Sequence, residues 1–116
     1  MSDLIKIKVS ELIGNQVCIS IDDGQKVFNM IEQLIRAEKQ ITVAFDKVTL
    51  VIPLFLNVAI GQLYGSFDVQ TIRNQIKVEG LEPDDMKLLK RVVDNAKKYY
   101  TNKKAYDTAS KDETIL

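Results

Sequence analysis

Histidine is absent from all 116 residues, which removes the commonest general base, the commonest metal ligand and the usual serine or cysteine triads together. The single cysteine, Cys18, lies in the alternating run Val17-Cys18-Ile19-Ser20-Ile21. No cationic neighbour or helix start stands beside it to lower its pKa, so it reads as an inert strand residue. One cysteine without histidine cannot assemble a structural zinc site of the familiar types. Carboxylates are the remaining candidates for chemistry. The adjacent pairs Asp22-Asp23 and Asp84-Asp85 each precede an expected helix, and neighbours in sequence point in different directions, so they read as caps rather than as metal ligands or an acid/base pair. None of the five glycines builds a GxGxxG or GxxxxGK[ST] phosphate loop. A non-enzymatic domain with no cofactor and no metal is therefore expected.

Two segments remain that could bind a partner. The first, Lys97-Lys98-Tyr99-Tyr100-Thr101-Asn102-Lys103-Lys104, interleaves cations with aromatic rings. That composition suits single-stranded nucleic acid, with Lys97, Lys98, Lys103 and Lys104 as the contacts. The structural reading outweighs it, because the tyrosines extend an apolar helical stripe and lysines favour the negative end of a helix dipole. Sixteen basic residues also balance sixteen acidic ones, so no overall field attracts a polyanion or an anionic membrane. The second segment runs from Phe45 to Asn57 and is strongly apolar around Pro53-Leu54-Phe55-Leu56. A strand-to-helix junction offers unpaired N–H groups and the positive end of a dipole. Phe55 and Leu56 fit plain core equally well, whereas Leu54, if exposed beside Pro53, makes a hydrophobic docking point.

The elements that must position these residues follow from periodicity. Leu4 to Val9 alternates as a half-buried strand, and Val17 to Ile21 reads as a second strand across the Gly14-Asn15 turn, pairing with the first as an antiparallel hairpin. Val27, Met30, Ile31, Leu34 and Ile35 recur at helical spacing and predict a helix from Gly24 to Glu38. Ile41 to Phe45 is apolar and β-branched, as a strand in mid-sheet requires. A connector, Val48 to Ile52, leads into a helix from Pro53 to Tyr64, since proline is tolerated in a first turn. A small helix over Val69 to Asn74, a strand from Gln75 to Glu79 and a helix opened by Glu82-Pro83-Asp84-Asp85 complete the order. Residues from Met86 to Tyr100 carry its apolar stripe.

This order predicts an α/β fold: a small mixed sheet of about four strands packed with three to four helices. The domain is expected over residues 1–100, with a polar, mobile tail over 101–116. At 116 residues the chain buries enough surface to be stable without disulfides. No apolar run is long enough to span a bilayer, and the N-terminus lacks a signal-peptide layout, so a cytoplasmic location is expected.

From Leu4 to Tyr100 the sequence resembles the STAS domains of bacterial anti-anti-sigma factors and sulfate-transporter tails. It resembles their STAS-like relatives most. The resemblance is carried by the Asp22-Asp23-Gly24 turn, the Val43-Ala44-Phe45-Asp46 strand, the Val48-Thr49 connector and the run from Pro53 to Tyr64. In anti-anti-sigma factors the corresponding junction reads Asp-Ser-Ser/Thr-Gly-Leu-Gly, and a cognate kinase phosphorylates a hydroxyl there to switch off binding. That motif aligns with Ile52-Pro53-Leu54-Phe55-Leu56-Asn57. Pro53 and Phe55 are similar to the Thr-Pro-Ser-Phe junction of the STAS-like relatives. Leu54 occupies the hydroxyl position and cannot take a phosphate; Thr49 nearby has a hydroxyl but reads as structural. The resemblance implies a regulatory protein-interaction module whose partner is a kinase-type ATPase, docked through Pro53, Leu54, Phe55 and Asn57.

Overall fold

The computed structural model describes residues 3–114, with side chains described through Thr101. Among the described residues it is an α/β fold of five strands and five α-helices. Strand β1 (Leu4–Lys8) leads directly into a short helix α1 (Val9–Ile13), and β2 (Val17–Cys18) precedes α2 (Ile21–Arg36). Strand β3 (Gln40–Ala44) is followed by β4 (Leu50–Val51), α3 (Pro53–Ala59) and a 3-10 turn (Gly61–Gly65). Helix α4 (Val69–Gln75), β5 (Ile76–Glu79) and α5 (Pro83–Thr114) complete the chain. No helix among the described residues is long and apolar enough to cross a membrane.

All strand pairing is parallel, in two small sheets ordered β1-β3-β5 and β2-β4. The antiparallel hairpin of the first two strands is therefore corrected. Val9, Leu12 and Ile13 sit at helical spacing and form α1, which ends at Gly14 in the left-handed conformation (φ 69°). This helix consumes the slack that a hairpin would need and carries the chain out of the first sheet. Each strand then finds its partner through a long connection, β1 with β3 and β2 with β4.

Strand β3 holds the centre of the larger sheet as expected, with Ile41, Thr42, Val43 and Ala44 all buried. One sheet face carries Ile7, Ile41 and Val43 into a core closed by Val27, Phe28, Ile31 and Ile35 of α2. Phe55, Leu56 and Ala59 of α3 and Leu89 and Val92 of α5 complete it. Each fully buried aliphatic or aromatic side chain of this kind contributes roughly 1.5–3 kcal/mol of transfer free energy. The opposite face of the sheet carries Lys6, Lys8, Lys77 and Glu79, all exposed. Lys6 reaches across it to Glu79 at 3.3 Å.

Helix α2 begins earlier than its periodicity predicts. Ser20 is its N-cap, its hydroxyl accepting from the Asp23 N–H at 3.2 Å, so Asp22 and Asp23 lie inside the first turn rather than ahead of it. Asp84 and Asp85 likewise occupy the first turn of α5. Both pairs face the positive end of a helix dipole, as capping chemistry favours. The expected helix over Pro53 to Tyr64 is broken at Ile60 (φ −120°, ψ −45°), where α3 gives way to the 3-10 turn. Helix α5 crosses the domain boundary expected at Tyr100 without interruption. Side chains beyond Thr101, Lys103 and Lys104 included, lie outside the described residues.

Candidate docking site at the β4–α3 junction

The two short parallel strands β2 and β4 feed side by side into the N-termini of α2 and α3. Leu50 pairs with Val17 and Val51 with Cys18, and the ladder is extended by the Ile52 N–H donating to the Cys18 carbonyl at 3.2 Å. Ile52 is the N-cap of α3, extended in backbone and without a side-chain cap; Pro53 follows at the first helical position. Proline there costs no hydrogen bond, because its missing N–H is one of the unpaired groups of a helix start.

Gly24 lets the two helices approach. A Cβ at this position would meet the Val58 side chain at 3.1 Å and the Phe55 carbonyl at 3.3 Å, closer than ordinary contact. One turn further along, the Gln62 amide donates both to Gln25 Oε1 at 3.1 Å and to the Val58 carbonyl at 2.8 Å, tying α2 to the end of α3. These contacts hold the seam between the helices. At its N-terminal end lie Ile21, one turn before Gln25 on α2, and Leu54, one turn before Val58 on α3.

Along this junction the apolar residues divide sharply. Phe55 and Leu56 are fully buried, so Phe55, expected among the partner contacts, supports the junction from beneath and presents no surface. Leu54 is 46% exposed and Pro53 and Asn57 are also exposed. Ile19, Ile21 and Leu50, which the sequence reading left out, are exposed to between 48% and 55%. They were hidden inside an expected strand and connector. The signal that could have found Ile21 is the spacing Ser20-x-x-Asp23, a helix-start signature that ends the strand at Cys18 and turns Ile21 outward.

Cys18 lies under this junction, fully buried. Burial, reinforced by the nearby Asp23 carboxylate, pushes its thiol up to about 11. A thiol so protonated is a poor nucleophile. Thr49 is exposed, and both its N–H (2.8 Å) and its hydroxyl (3.3 Å) donate to the Gln16 carbonyl, so it fastens the loop before β4 to the loop before β2. No group of three or more potential metal-ligating side chains occurs among the described residues.

The lysine and tyrosine segment is not assembled into a cationic groove by the described side chains. Lys97 is half-buried with its ammonium 5.9 Å from the centre of the Tyr64 ring. Tyr100 packs its ring against Gly65. Lys98 points to solvent, and Tyr99 is exposed, its ring edge-to-face with Tyr100 at 4.9 Å. Burial pushes the Tyr64 hydroxyl up, an effect opposed by Arg73 and aided by Asp94.

No curated protein and no solved structure matches the chain. A family model described as a STAS-like domain of unknown function (DUF4325) matches residues 23–86, from the first turn of α2 into the first turn of α5. The match spans more than half of the chain and includes the whole junction from β4 to α3; the chain belongs to this family of STAS-like domains.

Proposed function

We propose that the domain is a non-enzymatic, cytoplasmic regulatory module that docks a partner protein through Pro53, Leu54 and Asn57, joined by the neighbouring Ile21 and Leu50. The observation that carries this reading is the exposure of Leu54 at the second position of α3, on a junction rimmed by further exposed aliphatic side chains. Clustered apolar side chains rimmed by polar ones mark interaction surfaces more often than scattered ones do. Their support is rigid, because Phe55, Leu56 and Val51 beneath them belong to the core.

The family resemblance makes a kinase-type ATPase of the anti-sigma class the first partner to test. Leucine at position 54 takes no phosphate, so binding through this junction is constitutive with respect to that residue. Affinity capture from the native cell extract, read by mass spectrometry, compares wild type with Leu54→Asp. The substitution places an acidic group in the first turn of a helix, where the dipole favours it, so the fold survives. In a desolvated interface the same carboxylate is strongly unfavourable. Recovery of an ATPase with wild type alone supports the reading; equal recovery by both proteins refutes the site.

A further inference from the structure

We infer that the open edge of β1 is a second docking site, which accepts an extended segment of a partner protein whose acidic residues alternate with apolar ones. Among the described residues strand β1 is hydrogen-bonded on one side only, to β3. The Gln40 N–H donates to the Asp3 carbonyl at 3.1 Å, which fixes the phase of the backbone. Amide groups alternate in direction along a strand, so Asp3, Ile5 and Ile7 turn theirs toward β3, and Leu4 and Lys6 turn theirs to the outer edge. No described element pairs with those outward groups. An unpaired edge of this kind is a template for an added strand.

Beside that edge runs a groove of about 340 Å³, whose apolar wall is made by Ile5, Ile7, Leu12 and Met30. Met30 is 37% exposed there. Lys6 and Lys8 bound the same groove from the uncovered face of the sheet. Added strands read their host by side-chain alternation, so one face of the incoming segment meets the apolar wall and the other meets the two ammonium groups. Glu11 is the acid lining the groove, and the lysines outnumber it. Lys6 is bound to Glu79 only through an ion pair exposed on both sides, which a better partner displaces readily. Lys8 forms no ion pair with the described residues.

The same lysines disfavour a second copy of this chain as the occupant. Antiparallel pairing of the full strand sets Leu4 against Lys8 and Lys6 against Lys6, and like charges opposite each other are destabilising. Lysines on an edge strand commonly serve to block such self-pairing.

The test uses the full chain and a fluorescein-labelled peptide of alternating glutamate and valine. Fluorescence anisotropy reads binding, and amide hydrogen exchange by NMR reads its place. The expected result is a saturable anisotropy rise that weakens at about 0.5 M salt, where charges are screened within a few ångströms, with exchange slowed at the Leu4 and Lys6 amides. The double variant Lys6→Glu, Lys8→Glu changes two exposed side chains; with an unchanged unfolding temperature it should lose the glutamate peptide and gain one of alternating lysine and valine. Absence of binding, slowed exchange confined to other strands, or concentration-dependent dimers protected at Leu4 and Lys6 would each overturn the inference.

Discussion

Replacing Gly80 by alanine separates backbone strain from close packing in a way that Gly14→Ala calibrates. Both glycines have positive φ, 85° at Gly80 and 69° at Gly14, but their surroundings differ. A Cβ at Gly14 meets nothing within 4 Å, whereas at Gly80 it would lie 2.7 Å from the Asp46 amide nitrogen and 3.1 Å from the Phe45 carbonyl carbon. The left-handed backbone costs alanine about 1–2 kcal/mol at either position. Loss of glycine's freedom in the unfolded chain returns roughly 0.4–1 kcal/mol. Gly14→Ala should therefore cost up to about 1.5 kcal/mol. At Gly80 the Asp46 carboxylate is the nearest obstruction and can rotate away, but the Asp46 amide nitrogen and the Phe45 carbonyl carbon are backbone and cannot. Relief requires β5 to move from β3 just where the Phe45 N–H donates to the Glu79 carbonyl at 2.9 Å. Strain of that kind typically adds about 1–3 kcal/mol, which brings Gly80→Ala to about 2–4 kcal/mol. Urea unfolding followed by circular dichroism gives both differences, and thermal unfolding should show Gly80→Ala lowered by roughly 10 °C or more. Equal destabilisation of the two variants, to within about 0.5 kcal/mol, would refute the packing argument.

Neighbours on α3 should part company: Phe55→Ala empties a fully buried site and should cost about 3–5 kcal/mol, while Leu54→Ala should cost under about 1 kcal/mol, both measured by urea unfolding. Ser20→Ala removes the cap of α2 and should cost about 1 kcal/mol, with Ser20→Asn restoring most of it on the same assay. Native Cys18 should resist iodoacetamide at about pH 8 and react once unfolded in urea, as mass spectrometry would record. Its pKa is raised on folding from 9.0 to about 11. The folded state thus holds the proton more tightly, and the stability from that proton is fully present below pH 9.0 and lost as pH rises to about 11. The loss amounts to about 3 kcal/mol at about 1.4 kcal/mol per unit, and a pH series of urea unfolding for wild type against Cys18→Ala isolates it.

Local patterns already determined much of this molecule from its sequence. The spacing of Val27, Ile31 and Ile35 makes one stripe of α2 apolar whatever lies opposite it, and the β-branched run at Ile41 to Val43 demands a central, buried strand, as β3 is. The Pro53 start of α3 is equally local, since proline dictates its own φ and needs no N–H in a first turn. The family resemblance rested on such segments, and the match over residues 23–86 lies on them. Pairing was decided only in three dimensions: Leu4 to Lys8 alternates equally well for a hairpin or for a parallel partner more than thirty positions away, and the choice of β3 depended on α1 leading the chain out of the sheet. The docking site divides in the same way. Leu54, Phe55 and Leu56 are alike in hydropathy, and a short helix start has too few residues for periodicity to tell them apart. Packing against α2 through Gly24 rotates α3 so that Phe55 and Leu56 are buried and Leu54 remains at the surface. Sequence thus supplied the apolar residues of the junction, and the contact between two helices decided which of them a partner can reach.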